Sequence, residues 1–134
     1  MDRYYFDTSI WLDIFEKRER NGEVAKRLME KIIEDDAIVV YSDMVVLELS
    51  NLGYSQIEIQ RILGIAKPDH ILRVQVNKVQ LQEGKRIARK RGISAGDAIH
   101  AIMSRDTESC LVTRDADFEK LKDVNKAVLP EDLC

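Results

Sequence analysis

Acidic residues on four different stretches of the chain stand where a carboxylate does chemistry. Asp7 directly follows the run Tyr4, Tyr5, Phe6, and Asp115 follows Cys110 to Thr113 by one residue, with Asp117 close behind. Glu48 lies on a helical stripe with Met44, Val45 and Leu52, so its carboxylate sits among apolar neighbours and needs an ion pair, a hydrogen bond or a metal. Asp97 follows Ser94 by three residues and shares a face with Ser94, His100 and Ala101, which leaves room beside the acid for a cation or a substrate phosphate. Each acid also has a plain structural reading. Asp7 and Asp117 are good helix N-caps, Glu48 suits a salt bridge, and Asp97 suits a loose capping box or the helix dipole. Taken together they argue for more. Acids that converge at one sheet edge repel one another, no Lys is placed in sequence to neutralise them, and a divalent cation is the natural counter-charge. Carboxylate-rich, all-oxygen ligation suits Mg²⁺ or Mn²⁺. Zinc is disfavoured, because His70, His100, Cys110 and Cys134 have scattered spacings.

The elements that must position these acids follow from periodicity. Tyr4 to Phe6 reads as a strand. Ile10, Trp11, Ile14 and Phe15 recur at helical spacing, which leaves Asp13 and Glu16 to Arg20 on the wet side. A second helix is expected from about Glu23 to Glu34, and Ile38 to Tyr41 is a strand. Ser42 caps a helix over Asp43 to Leu52, stopped by Gly53, and Ser55 with Glu58 forms a capping box for a short helix ending near Gly64. Leu72 to Val76 alternates as a strand. Asn77 caps a helix to Arg91 closed by Gly92, Ser94 caps another to about Arg105, and Cys110 to Thr113 is the fourth strand. A short helix over Asp117 to Lys122 and a last strand over Val124 to Leu129 complete the chain. Strands separated by helices of this length mean βα crossovers, a mainly parallel sheet and helices on both faces. In such a sheet ligands collect beyond the carboxyl ends of the strands, where strand order reverses.

Composition bounds the rest. At 134 residues, 45% hydrophobic and 34% charged, with six Gly and two Pro, the chain is expected to be one domain spanning 1–134 with a real core and no linker. The net charge of −3 excludes bulk charge as the source of any polyanion binding. Two cysteines are too few for a disulfide scaffold, the N-terminal residues lack the apolar stretch of a signal peptide, and no run is long enough to span a bilayer. A cytoplasmic protein is expected.

The residues also carry a resemblance. Asp7-Thr8-Ser9 after a strand, Glu48 within Val45 to Ser50, Ser94 to Ala101 around Asp97, and Leu111 to Phe118 around Asp115 resemble a PIN domain, and most of all the VapC-type toxins of toxin–antitoxin operons. The likeness covers essentially the whole chain. No single motif is specific; the ordered set is. It implies a three-layer α/β fold with sheet order 3-2-1-4-5, Mg²⁺- or Mn²⁺-dependent cleavage of single-stranded RNA, and an antitoxin partner. By position, Asp7, Glu48, Asp97 and Asp115 are the acidic quartet. Asp7, Asp97 and Asp115 would hold metal, and Glu48 would be a further ligand or an orienter of water. Asp117 is either a fifth acid of the site or a cap. Thr8, Ser9 and Thr113 are expected to hydrogen-bond the carboxylates or the phosphate, and Arg114 to touch the scissile strand. Leu47 stands where many members have Ala.

Other features admit two readings. Lys85, Arg86, Arg89, Lys90 and Arg91 are either an RNA phosphate track or, preferred here, a solvated face whose cations complement the helix C-terminus before Gly92. Ile57, Ile59, Ile62, Leu63 and Ile65 form either a homodimer or antitoxin surface, or core. Gly84 within its helix costs about 1 kcal/mol against Ala and points to close packing. His100 is read as a packed or hydrogen-bonding residue, and Tyr4, Tyr5 and Trp11 as core. The competing functions are a housekeeping RNA-processing nuclease, a non-catalytic binding module, and a phosphatase with Asp7 as nucleophile. The last wants a second Asp two residues on, and that position is Ser9.

Overall fold

In a computed structural model, which describes residues 2–134, five strands form one all-parallel sheet. They are β1 (Arg3–Phe6), β2 (Ile38–Ser42), β3 (Ile71–Val74), β4 (Cys110–Val112) and β5 (Ala127–Val128), in the order 3-2-1-4-5. The helices between them are α1 (Thr8–Phe15), α2 (Glu19–Glu34), α3 (Asp43–Asn51), α4 (Gln56–Leu63), α5 (Lys78–Arg91) and α6 (Ala95–Asp106). Among the described residues, no helix is long and apolar enough to cross a membrane.

The strand pleat divides the core in two. Phe6, Val39 and Val112 face one side, where they bury Trp11, Leu28, Ile32, Leu49 and Ile62. Tyr5, Val40 and Leu111, each adjacent in sequence to one of the first set, face the other, against Ile99, Ile102, Phe118 and Leu121. β1 pairs with both β2 and β4, so strand order reverses at its side and the ends of β1 and β4 lie together, with Phe6 opposite Val112. That crevice is where the sheet offers a site.

Several boundaries differ from the sequence reading, each for a local reason. α2 begins at Glu19 rather than near Glu23, and β3 occupies 71–74 rather than 72–76, because it pairs with Val39 to Ser42 and ends where β2 gives way to α3. β5 shrinks to two residues, paired only with Leu111 and Val112 of the three-residue β4. The segment after Asp115 is a 3₁₀ turn over Ala116–Leu121 rather than an α-helix. Asp13, expected on the wet side, is 4% exposed. It is paired instead with Arg18 at 3.4 Å and Arg114 at 3.6 Å. In and after α4, Ile59 and Ile62 are core, Leu63 and Ile65 pack against it, and Ile57 stays exposed.

Gly92, at φ 67°, ends α5 in the left-handed conformation that Gly adopts without penalty. Gly84 marks the contact between α5 and α6: a Cβ there would lie 2.6 Å from Ile99 Cγ1, on a side chain only 1% exposed. An alanine would gain about 1 kcal/mol of helix propensity but incur about 1–3 kcal/mol of overpacking. The clash should win. We expect Gly84→Ala to be less stable by about 1 kcal/mol, lowering the melting temperature by roughly 4 °C, as read by thermal melts followed by circular dichroism. An unchanged or higher melting point would mean that Ile99 yields freely.

Candidate metal centre

Asp7 ends β1 and caps α1, so its cap role and its place at the crevice are one arrangement. Its Oδ1 accepts from the Ile10 amide at 3.2 Å and the Ser9 hydroxyl at 2.8 Å, and its Oδ2 accepts from the Thr113 hydroxyl at 2.6 Å. It is only 6% exposed. Burial pushes its carboxyl upward, against the hydrogen bonds from Thr113 and Ser9.

Thr113, just past β4, joins two of the acids. While donating to Asp7, its hydroxyl oxygen accepts from the Asp115 amide at 3.1 Å. Asp115 in turn caps the 3₁₀ turn, its Oδ1 accepting from the Asp117 amide at 2.9 Å. Asp97 stands in the first turn of α6. Its amide donates to Ser94 Oγ at 3.1 Å, but its carboxyl closes no capping box. That carboxyl is pushed up to about 6, first by burial and then by the charge of Asp115.

Glu48, in mid-α3, has Oε1 against the Thr8 hydroxyl at 2.6 Å and His100 Nε2 at 2.5 Å. Burial opposes its charge, but these two donors outweigh it and hold the carboxyl below the usual range. Its Oε2 lies over Gly96, where a Cβ would come within 2.6 Å.

Asp97, Asp115 and Asp117 each present a carboxylate oxygen, and these three lie within 4.8 Å of one another. Asp7, Glu48, Asp97 and Asp115 line one cleft of about 400 Å³ with Thr8, Ser9, Leu12, Asn51, Leu52 and His100. No Lys or Arg is among those lining residues. The donor set is oxygen throughout, which is the chemistry of a hard divalent cation. The cleft can therefore gather a cation and, against it, a phosphate.

Other candidates fall elsewhere. Arg114 does not line the cleft; it is held by Asp13 and by a close ion pair with Glu131. Of the basic run, Arg91 is engaged with Asp123 at 2.7 and 2.8 Å and with the Lys120 carbonyl, while Lys85, Arg86, Arg89 and Lys90 are exposed away from the cleft lining. Asn51 lines the cleft without any signal of its own in the sequence beyond standing three residues past Glu48 on the same helix.

Comparison with known proteins agrees with this geometry. Among curated proteins none matches the chain in sequence. Solved structures of similar fold include VapBC2 from Rickettsia felis bound to a DNA fragment from its promoter, with TM-score 0.66, 18% identity, and 95% of this chain and 96% of that chain covered. A toxin–antitoxin complex from Klebsiella pneumoniae gives 0.62 at 16% identity, covering 95% and 97%. PAE2754 from Pyrobaculum aerophilum gives 0.61 at 20%, covering 98% and 92%. The family model described as the PIN domain matches residues 4–124. With the sheet order, the crevice and the acids in place, the chain belongs to the PIN domain family.

Proposed function

We propose that the protein is a Mg²⁺- or Mn²⁺-dependent endoribonuclease that cleaves single-stranded RNA, and that it is the toxin of a toxin–antitoxin pair. The observation that carries the nuclease reading is the convergence of Asp7, Glu48, Asp97 and Asp115 on one cleft without a lining lysine or arginine. The partner reading rests on fold similarity to toxin–antitoxin complexes. A homodimer working in the cytoplasm fits the same reading, and Cys110 and Cys134 are free thiols.

Asp7, Asp97 and Asp115 would hold the cation, with Asp117 within reach of the last two. Asp7 keeps one lone pair for it, on Oδ2, after its hydrogen bonds from Ser9, Ile10 and Thr113. When bound, the cation supplies Lewis acidity toward the phosphate oxygens and lowers the pKa of water. The three hydroxyls of Thr8, Ser9 and Thr113 orient carboxylates, leaving the acids to face the substrate. His100 directs Nε2 at Glu48, so no free imidazole is positioned to abstract the RNA 2′-hydroxyl proton. Water is the nucleophile: its oxygen bonds to phosphorus, the P–O3′ bond breaks, and the products carry 5′-phosphate and 3′-hydroxyl ends.

Cleavage of single-stranded RNA is expected to need Mg²⁺ or Mn²⁺ and to stop with EDTA. Asp97→Asn should abolish it with the circular dichroism spectrum intact, and a 2′-deoxy nucleotide at the scissile bond should still be cut. Products ending in 2′,3′-cyclic phosphate, or full activity of Asp97→Asn, would overturn the assignment.

Stability should follow the same charges. Asp97 titrates at about 6 in the fold, against an ordinary value near 3.9. The native state therefore holds the proton more tightly than the unfolded chain. Stability falls as pH rises through the window from about 4 to 6, and Asp7, also raised, adds in the same direction. A cation competes with those protons, so Mg²⁺ should stabilise little at pH 5 and more at pH 7, by about 2.7 kcal/mol at 100-fold excess over its Kd. In EDTA at pH 7, Asp97→Asn should melt above wild type and respond less to Mg²⁺. Thermal melts at low salt decide it: a wild type indifferent to Mg²⁺ and more stable than Asp97→Asn would make the acids structural.

A further inference from the structure

Glu48 is the one acid of the cleft whose carboxylate is held by a chain of buried side chains that runs away from the site. Beyond Glu48, His100 is 1% exposed, and its Nδ1 lies 2.7 Å from the Tyr5 hydroxyl. Tyr5 is fully buried, and its hydroxyl lies 2.7 Å from Ser42 Oγ, which is also buried. Ser42 Oγ in turn accepts the Met44 amide at 3.2 Å, as the cap of α3.

Hydrogen-bond counting gives this chain a direction. A carboxylate oxygen has no proton to offer, so His100 Nε2 must donate to Glu48. With its proton on Nε2, the neutral ring has Nδ1 free to accept, and the Tyr5 hydroxyl donates to it. Tyr5 oxygen then accepts from the Ser42 hydroxyl, and Ser42 accepts from the Met44 N–H. For the singly protonated ring every donor then meets an acceptor, whereas the reverse direction would set Nε2 as a lone pair against the carboxylate.

We infer that Tyr5, His100 and Ser42 are positioning residues that fix the Glu48 carboxylate in the cleft, acting through the imidazole tautomer. This rests on the metal-centre reading. The Thr8 hydroxyl and the missing Cβ of Gly96 complete the seat, one from each side of the carboxylate. Neither Tyr5 nor Ser42 lines the cleft. Tyr5 therefore acts at one remove, as an outer partner that sets ring orientation and tautomer.

The test begins with the metal-free wild type, ¹⁵N-labelled, by two-bond ¹H–¹⁵N imidazole correlation at neutral pH. His100 should show the Nε2-protonated tautomer; an Nδ1-protonated ring overturns the inference whatever the metal or RNA data say. Tyr5→Phe keeps the packed ring and removes one hydroxyl. It should give His100 a mixture of tautomers, weaken Mn²⁺ binding by calorimetry about 10-fold, the low end of outer-shell effects, and lower kcat on RNA while KM stays put. His100→Gln, whose side-chain amide reaches as far as Nε2, should recover part of the Mn²⁺ affinity that His100→Asn loses. Equal Mn²⁺ affinity in wild type and Tyr5→Phe, or equal rescue by Gln and Asn, overturns the positioning role. A wild type with the expected tautomer that binds no Mn²⁺ would sink the metal-centre reading instead.

Discussion

The constraint on which this structure depends is mutual repulsion among carboxylates at the junction of β1 and β4. Asp7, Glu48, Asp97 and Asp115 share one cleft that no lysine or arginine lines, and like charge in a partly desolvated pocket favours protonation unless donors oppose it, as they do at Glu48. The effect is visible at Asp97, raised by burial and by Asp115. What holds the group together is a set of short hydrogen bonds from hydroxyls, amides and one imidazole. Thr113 ties Asp7 to the Asp115 amide, and Ser9 fixes the other oxygen of Asp7. Thr8 and His100 fix Glu48. The hydroxyls and amides among these donors stabilise each charge without cancelling it.

Helix beginnings supply the rest of the restraint. Asp7 and Asp115 are N-caps, and Asp97 lies in the first turn of α6. Backbone N–H groups at a helix start favour negative charge, so the same geometry that ends a strand and starts a helix also makes an acid tolerable at the crevice. The cap expected at Asp117 falls on Asp115 instead, whose carboxylate accepts from the Asp117 amide, and capping does not use up the carboxylate of Asp7 or Asp115. Each caps with one oxygen and faces its neighbours with what remains.

The sequence made legible whatever depends on local pattern. Sheet class, most helices, the capping box at Ser55, the cap at Asn77 and the closing Gly92 all follow from period and turn chemistry over a few residues. Spacing also brought out the acids, because each stands at a strand end or on a helical face. What was not legible depends on partners far along the chain. Tyr5 reads as a core aromatic and is one, but its hydroxyl meets Ser42 and His100, 37 and 95 residues away. Arg114 reads as a cation beside an acid. Its partners, Asp13 and Glu131, come from α1 and the C-terminal segment, and no local rule names them. β5 is short because β4 offers little edge to pair with, a property of the neighbouring strand rather than its own residues.

Asp13 supplies the contrast that gives the cleft its meaning. Like Asp7 it is an almost fully buried aspartate, and like Asp7 its carboxyl is raised by burial. Yet around Asp13 the fold brings Arg18 and Arg114, so that acid is neutralised by the chain itself. A buried charge without such a partner is costly, and the ion pairs at Asp13 show that this fold can supply one where it is structural. At the end of β1, six residues earlier, hydroxyls and amides take the place of arginines. Arg114 adjoins Asp115 in sequence but pairs with Asp13 and Glu131 instead of lining the cleft. Its actual partners leave the cleft without an arginine, and oriented oxygens unpaired by any lysine or arginine are what a bound cation would complete on the proposed reading.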